Sequence, residues 1–369
     1  MHILILPSWY PTPDNPINGS FFREQAAALA AFGHKVTVMA VYSGSKDAVR
    51  TEKQTNGNLT EYRIYVRPIR FHLTYFRVLR AMMHLIRQNG KPDIIHVHSY
   101  RAARYAQGLQ KILKIPYAIT EHYSGFQSGV LSEQDLHQAS SAFRHSAEVI
   151  AVSHGLCETI QPLCCERKVV VIPNIVKGDF FSRTREDIPA APFRFISVGW
   201  LNGNKGMDVV ICALRKLLSR DIDVCLTICG DGEKRAEFEA QAGELLNTGR
   251  VVFTGNLTRE EIGERLSQSH AFVLASRVET FGVVFVEAMA CGLPIVMTKT
   301  SAWQSLAVPE TGLAVPVDDA EALADAMEHV IRNYADYDPE TIRRYCREHF
   351  SEEAVCRRLT EVYEEVLNK

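Results

Sequence analysis

The stretch "VETFGVVFVEAMACGLPIV" (residues 278–296) decides how this chain is read. It joins two short β-branched runs, "AFVLAS" (271–276) and "LPIVMT" (293–298). Strand, helix and strand in so few residues is the pattern of a parallel sheet crossed by a helix. The helix is expected to start near Gly282. Glu287 then falls among Val283, Val284, Phe285, Val286, Ala288, Met289 and Ala290. A carboxylate on so apolar a helix needs a partner, because burying an unpaired charge is expensive. The plain alternative is that Glu279 caps the helix and Glu287 is an ordinary helical glutamate.

Working outward, the same alternation covers the chain. Strands are expected at 2–6, 35–41, 93–98, 117–120, 149–153 and 169–173, with a helix over 20–33 that Gly33 can end. The pattern then restarts, with strands at 194–200, 224–230, 251–255, 271–276, 293–298 and 313–317. This is an α/β chain of two consecutive doubly wound units. The boundaries are set at 1–175, 176–350 and a C-terminal helix, 351–369, with Ser351 as its N-cap, expected to pack back on the first unit. A chain of 369 residues also exceeds what one core usually fills.

Composition narrows the function classes. A net charge of −2 gives no general pull toward nucleic acid. The nine cysteines are odd in number and show no disulfide framework, and "VCLTIC" (224–229) places Cys225 and Cys229 in an apolar run. "MHILILP" is too short and lacks the basic start of a signal peptide, and no apolar run reaches membrane-spanning length. A cytoplasmic protein is expected.

Candidate ligand loops follow the strands. Neither unit carries the G-x-G-x-x-G fingerprint. The first connection, "PSWYPTPDNPING" (7–19), is far longer than the usual roughly 2–6 residues, and it leaves the carboxyl end of a strand, where open α/β sheets bind ligands. "GWLNGNKG" (199–206) leaves a strand and opens a helix, with two glycines for close approach and Lys205 for charge, which suits a phosphate. "GDG" (230–232) could line the same crevice or be an ordinary turn. Backbone N–H groups at the helix start near Gly282 would make a second anion site.

With these residues in hand, "ETFGVVFVEAMACGLPIV" resembles the signature of the retaining family-4 glycosyltransferases. The resemblance extends over "NGSFFREQAAALAAFGHKVTV" (18–38), "IPN" (172–174), Lys205-Gly206 with Asp208, and "VVFTG" (251–255). It implies the GT-B fold: two Rossmann-like domains facing a central cleft, the acceptor on the first and the nucleotide-sugar on the second. It assigns Glu287 to the donor ribose, Glu279 to the donor sugar, and the amides of Phe281, Gly282, Val283 and Val284 to sugar and diphosphate. Lys205 corresponds to the phosphate-binding lysine, Gly19 to the glycine loop, and His122, in "TEHYSGF", to the histidine that reaches the transferred sugar. The implied reaction moves a sugar from a nucleotide diphosphate, UDP by family frequency, to a hydroxyl of a glycan, lipid-linked or small-molecule acceptor. It proceeds with retention, and no cofactor or metal is expected.

Three positions depart from the family pattern. Trp200 stands where an arginine usually completes the diphosphate clamp, Asn18-Gly19 replaces Gly-Gly, and Asn174-Ile175 replaces Asn-Gly. Either Lys205 acts with the helix amides alone or another cation reaches in. Two patterns are read as decoys. "DID" (221–223) lies at the amino end of a strand, and "HVH" (96–98) is as readily one core and one pocket histidine as a metal pair.

Segment 63–91 has many basic residues and no acidic one. Arg77, Arg80, His84 and Arg87 recur at helical spacing beside a core stripe of Phe76, Leu79, Met83 and Ile86. This suggests an anionic membrane surface or a pyrophosphate-lipid acceptor, against a merely solvated face. Competing functions are a GT-B nucleotide-sugar epimerase, a phosphorylase (for which no pyridoxal lysine argues), and a catalytically weak nucleotide-sugar-binding subunit.

Overall fold

The computed structural model describes residues 1–15, 17–165, 167–183 and 191–369. Contacts divide it into two units. The first comprises Met1–Val152, Leu156–Ile175 and Glu352–Lys369; the second comprises Ser153–Gly155 and Val176–Ser351.

The first unit is an eight-stranded sheet. Its strands are β1 (His2–Pro7), β2 (Lys35–Ser43), β3 (Val49–Asn56), β4 (Leu59–Val66), β5 (Ile94–His98), β6 (Tyr117–Glu121), β7 (Glu148–Ala151) and β8 (Val170–Val171). They lie in the order β3-β4-β2-β1-β5-β6-β7-β8. The pairings are parallel except β3 with β4. That hairpin divides the basic segment 63–91: residues 63–66 finish β4, and the helix is Phe71–Asn89. Gly57-Asn58 makes the two-residue turn, with Gly57 at φ 55° in the first central position, where glycine is favoured.

The helix Phe71–Asn89 buries Val78, Leu79, Met82, Leu85 and Ile86. Phe76, expected in the core stripe, is 61% exposed, and Leu73 joins it outside at 46%. The packed stripe is rotated from the expected one, so the outer face carries aromatic and aliphatic surface as well as Arg80, His84 and Arg87. On the far side of the sheet the helix Ser20–Ala31 and the last helix, Glu352–Asn368, share one core, with Phe22, Leu29, Leu359 and Tyr363 fully buried.

The second unit has six parallel strands: β9 (Phe193–Val198), β10 (Val224–Cys229), β11 (Val251–Gly255), β12 (Ala271–Leu274), β13 (Ile295–Thr298) and β14 (Gly312–Val315). Their order is β11-β10-β9-β12-β13-β14. The chain builds outward from β9 on one side, then returns to place β12 on the other. Such a reversal opens a crevice at the carboxyl ends of the two central strands. The loops leaving β9 and β12 therefore meet there. In the first unit the equivalent reversal lies between β1 and β5.

Candidate active site

The loop leaving β9 is held by backbone. Gly206 has φ +62°, and a Cβ there would stand 1.9 Å from the Ala275 carbonyl oxygen. Only glycine permits that approach. Gly230, in the "GDG" turn, is pressed as closely on Gly199, and the Leu201 N–H donates to the Asp231 carbonyl at 2.9 Å. The "GDG" turn is thus joined to the Lys205 loop.

A residue that sequence reasoning passed over fixes this loop. Arg277 donates to the Gly203 carbonyl at 2.6 Å, to both Asp208 oxygens at 3.0 and 2.6 Å, and to Asp318 at 2.7 Å. Its own backbone N–H donates to the Asn204 carbonyl at 2.7 Å. Burial would raise the Asp208 pKa, but the Arg277 hydrogen bonds and charge outweigh it and hold the carboxyl below its ordinary value. The signal was present as Asp208 in the Lys-Gly-x-Asp run. Its partner lies 69 residues on, and no spacing rule reveals that.

Lys205 and Glu279, from the two switch-point loops, meet as an ion pair with Nζ 2.5 Å from Oε2. Three residues after Glu279, Gly282 (φ +83°) caps the helix Val283–Ala290. A Cβ on Gly282 would press on the Phe285 ring at 2.6 Å. Phe281 is buried edge-on against Phe350, with ring centroids 5.7 Å apart, so this helix start is anchored from behind. The first amides of a helix have no intrahelical acceptor and carry its positive end. An anion placed there would face those amides with Lys205 beside them.

Glu287 is 4% exposed and ion-paired with Arg259. Arg259 occupies the first position of the helix Arg259–Ser267, which a reciprocal capping box between Thr258 and Glu261 starts at that residue. The partner that an apolar-helix carboxylate requires is therefore an arginine. Trp200 is 53% exposed, and its indole N–H donates to Glu233 at 2.9 Å. Arg277 is engaged by aspartates, and Lys234, a cation on the loop's rim, is held by Glu237 at 3.0 Å. The Lys234 Cε is 3.7 Å from where a Cβ on Gly203 would lie. Asp223 of the "DID" run pairs with Arg250 at the amino end of β10.

The remaining candidates lie in the first unit. Gly19 (φ +76°) precedes the helix Ser20–Ala31, and a Cβ there would stand 2.9 Å from both the Trp9 carbonyl and its ring. His122 follows β6 and is 7% exposed. Its Nε2 is 3.0 Å from His98 Nδ1, so one ring donates and the other accepts. Burial, reinforced by the charge of His96, lowers the His122 pKa to about 3 and keeps the ring neutral. Its Nδ1 has no partner among the described residues. Glu121 fixes the turn by accepting from the backbone N–H groups of Tyr100, His122 and Tyr123, each at 2.9 Å. "HVH" supplies two fully buried rings on one strand face rather than one core and one pocket histidine. His96 bonds Thr120 at 2.8 Å and the Tyr363 hydroxyl at 2.7 Å.

Comparison with known proteins places this geometry in a family. Residues 19–179 match the family described as Glycosyltransferase Family 4, and residues 180–349 match Glycosyl transferases group 1. A phosphatidyl-myo-inositol mannosyltransferase of Mycobacterium leprae is 30% identical over 272 residues, covering 70% of this chain and 70% of that protein. The gpi3 subunit of a phosphatidylinositol N-acetylglucosaminyltransferase of Schizosaccharomyces pombe is 26% identical over 362 residues, covering 92% and 76%. The solved structure of Anabaena Alr3699/HepE in complex with UDP superposes with a TM-score of 0.78 at 17% identity, over 99% of this chain and 100% of that one. The chain belongs to the family-4 glycosyltransferases, with the two parallel-sheet units of the GT-B fold.

Proposed function

We propose that the protein transfers a sugar from a nucleotide diphosphate donor to an acceptor hydroxyl, with retention of configuration and without a metal. UDP is the first choice of nucleotide, a reading supported by the Anabaena structure in complex with UDP. The observation that carries the proposal is the arrangement around the helix Val283–Ala290: Lys205 and Glu279 at its mouth, Glu287 along its flank. The departing diphosphate takes the positive end, where the amides of Phe281, Gly282, Val283 and Val284 and the Lys205 ammonium stabilise developing charge. Lys234, exchanging Glu237 for the diphosphate, supplies the second charge that Trp200 cannot. Glu279 holds the donor sugar, Glu287 exchanges Arg259 for ribose hydroxyls, and His122, neutral with an unpartnered Nδ1, meets the transferred sugar. Gly19 lets the first unit's loop approach the donor.

A thermal-shift screen of UDP-, GDP- and ADP-sugars tests the reading. One donor should stabilise the wild type, and Glu287→Ala should weaken it about 10–100-fold, the range for hydrogen bonds to a charged group. An unchanged shift in the variant would remove the ribose assignment. A second reading, a nucleotide-sugar-binding subunit of low activity, is favoured by Trp200. Tight donor binding without hydrolysis or transfer would select it.

The acceptor we propose is a glycan, a lipid-linked molecule or a small molecule, met by a cytoplasmic protein that rests peripherally on an anionic membrane. No helix among the described residues is long and apolar enough to cross a membrane. The exposed Leu73 and Phe76 beside Arg80, His84 and Arg87 support surface contact. Phe76→Ser should lower binding to phosphatidylglycerol vesicles about tenfold, as loss of one buried aromatic predicts. Equal cosedimentation of variant and wild type would remove this helix from the contact.

A further inference from the structure

Two histidines at the carboxyl ends of β5 and β6 form a bonded pair with an unmatched nitrogen at each end. His98 Nδ1 lies 3.0 Å from His122 Nε2. The other nitrogen of each ring, His98 Nε2 and His122 Nδ1, is buried without a partner among the described residues. Neighbouring groups are not in this position. His96 is met at both nitrogens, by Thr120 at 2.8 Å and by the Tyr363 hydroxyl at 2.7 Å. Buried polar atoms are rarely left unmet, and two at the ends of one bonded pair call for an explanation.

Counting protons shows what the pair can do. Burial keeps both rings neutral, so each carries a single N–H. If His98 Nδ1–H donates, His98 Nε2 is bare and His122 carries its proton on Nδ1. If His122 Nε2–H donates, His122 Nδ1 is bare and the N–H stands on His98 Nε2. The hydrogen bond at one nitrogen thus sets the other, and His98 decides what His122 can offer. The two ends have different surroundings. His98 is fully buried, its ring centroid 4.7 Å from that of Phe22 and 4.3 Å from that of His96. His122 is in the loop leaving β6 and packs at 5.4 Å against Phe21, which is half-buried. A proton on His98 Nε2 would be a permanently orphaned N–H, rarer than a bare acceptor. A proton on His122 Nδ1 is unmet only until a ligand oxygen reaches it. The pair is also fixed in place. Ser99, next to His98, is held at φ 67° and ψ 144°. Its N–H donates to the Thr120 carbonyl at 2.8 Å, and its carbonyl accepts from the Ser8 hydroxyl at 3.1 Å. A non-glycine residue keeps such a backbone only where its surroundings over-determine it.

We infer that His98 is a positioning residue: it donates from Nδ1 to His122 Nε2 and so holds His122 in the tautomer that presents Nδ1–H to an oxygen of the transferred sugar. The inference rests on the transferase reading above for the ligand, though not for the tautomer. It has a chemical consequence. An N–H can meet a hydroxyl, ring or glycosidic oxygen, whereas a bare nitrogen can meet only a hydroxyl. With Nδ1 protonated and Nε2 occupied by His98, His122 is a hydrogen-bond donor to the sugar and not a general base.

Nitrogen NMR of the full chain carrying isotope-labelled histidine tests this without any donor, at about pH 7 where neutral rings are expected. Protonated and bare imidazole nitrogens resonate far apart, so the spectrum reads each tautomer directly. His98 and His122 should both carry their proton on Nδ1, with the signals assigned by their loss in His98→Asn and His122→Gln. A wild-type His122 protonated on Nε2 would overturn the inference. His98→Asn, whose amide N–H stands in for Nδ1–H, should leave His122 protonated on Nδ1. His98→Ala should release it to a mixture, and an unchanged His122 in that variant would also overturn the inference. His96, bonded to Thr120 and Tyr363, reports in the same spectra that the core is intact. In transfer, His98→Ala should lower turnover about tenfold, the worth of one hydrogen bond, and His98→Asn should restore most of it. Stabilisation by UDP, which carries no sugar, should be the same in both variants and the wild type. Equal losses of turnover in the two variants would make His98 a packing residue and overturn the inference. The spectrum and the activity fail separately. Nδ1–H on His122 without transfer from any nucleotide-sugar would sink the transferase reading and leave the tautomer standing.

Discussion

Lys205→Ala is expected to lower turnover by about 10²–10³-fold, the loss seen when one preorganised group facing developing charge is removed. The reasoning starts from the ion pair with Glu279, 2.5 Å between Nζ and Oε2, both side chains largely covered. Removing the ammonium subtracts a charge from the place where the diphosphate leaves. It also strands the Glu279 carboxylate beside that anion, so the local charge changes from balanced to negative. Donor affinity should fall with turnover, because ground-state phosphate and departing diphosphate are both anions. The paired variant Lys205→Ala/Glu279→Gln, which removes the stranded charge but keeps a hydrogen-bonding group for the sugar, separates the two effects. It should recover part of the lost affinity, since the stranded carboxylate is gone, but none of the lost turnover. If turnover of Lys205→Ala stays within about tenfold of wild type, the diphosphate is held elsewhere. The loop should remain in place in these variants, because Arg277, not Lys205, ties it to Asp208 and Asp318.

Much of this arrangement was legible because local chemistry and fold agree along the chain. Short β-branched runs separated by helical patterns give a parallel sheet, and the loop lengths mark the carboxyl ends that bind ligands. Of the glycines read for close approach, Gly206 stands where a Cβ would meet the Ala275 carbonyl at 1.9 Å, whereas at Gly203 a Cβ would meet only the Lys234 side chain at 3.7 Å. What stayed hidden was long-range pairing. Arg259 with Glu287 and Arg277 with Asp208 join residues 28 and 69 positions apart, and neither pair has a spacing that periodicity can register. The β3–β4 hairpin was missed because "VRTEKQTN" is a charged strand at the sheet's edge, mostly exposed, without the apolar alternation of a half-buried strand. Its turn residues were the available signal. Phe76 misled for the opposite reason. Helical spacing shows that a stripe exists, but the angle at which the helix packs selects which stripe is buried.

The largest effect on stability is expected from acid, through the buried histidines of the first unit. His96 and His122 are pushed down to about 3, and His98 lies well below its ordinary value, in each case first by burial. The sign follows from proton binding. Above about pH 6.5 the rings are neutral in both folded and unfolded chains, and these groups do not alter stability. Below it the unfolded chain takes up protons that the folded chain excludes, so stability falls as pH falls toward about 3. Each ring contributes up to about 1.4 kcal/mol per pH unit, so three together approach roughly 4 kcal/mol per unit. Against the roughly 5–15 kcal/mol of a typical domain, that is a large loss of stability as pH falls from about 6.5 toward 5. Glu121 works in the opposite sense. Burial raises its carboxyl pKa, against the three backbone N–H groups that lower it, and the folded state then binds a proton first. Its uptake offsets part of the histidine uptake wherever the two windows overlap. Urea unfolding at about pH 7, 6 and 5 measures this directly, with Trp9 as reporter. Its ring packs 5.2 Å from Phe22 and 6.4 Å from Tyr123, beside the histidines. Replacing Trp200 and Trp303 with phenylalanine isolates that signal. His98→Gln should remove about one proton from the uptake while keeping a polar partner for His122. A wild-type uptake below one proton over this range would mean that the rings reach water in the folded protein, and the neutral role given to His122 would fall with it.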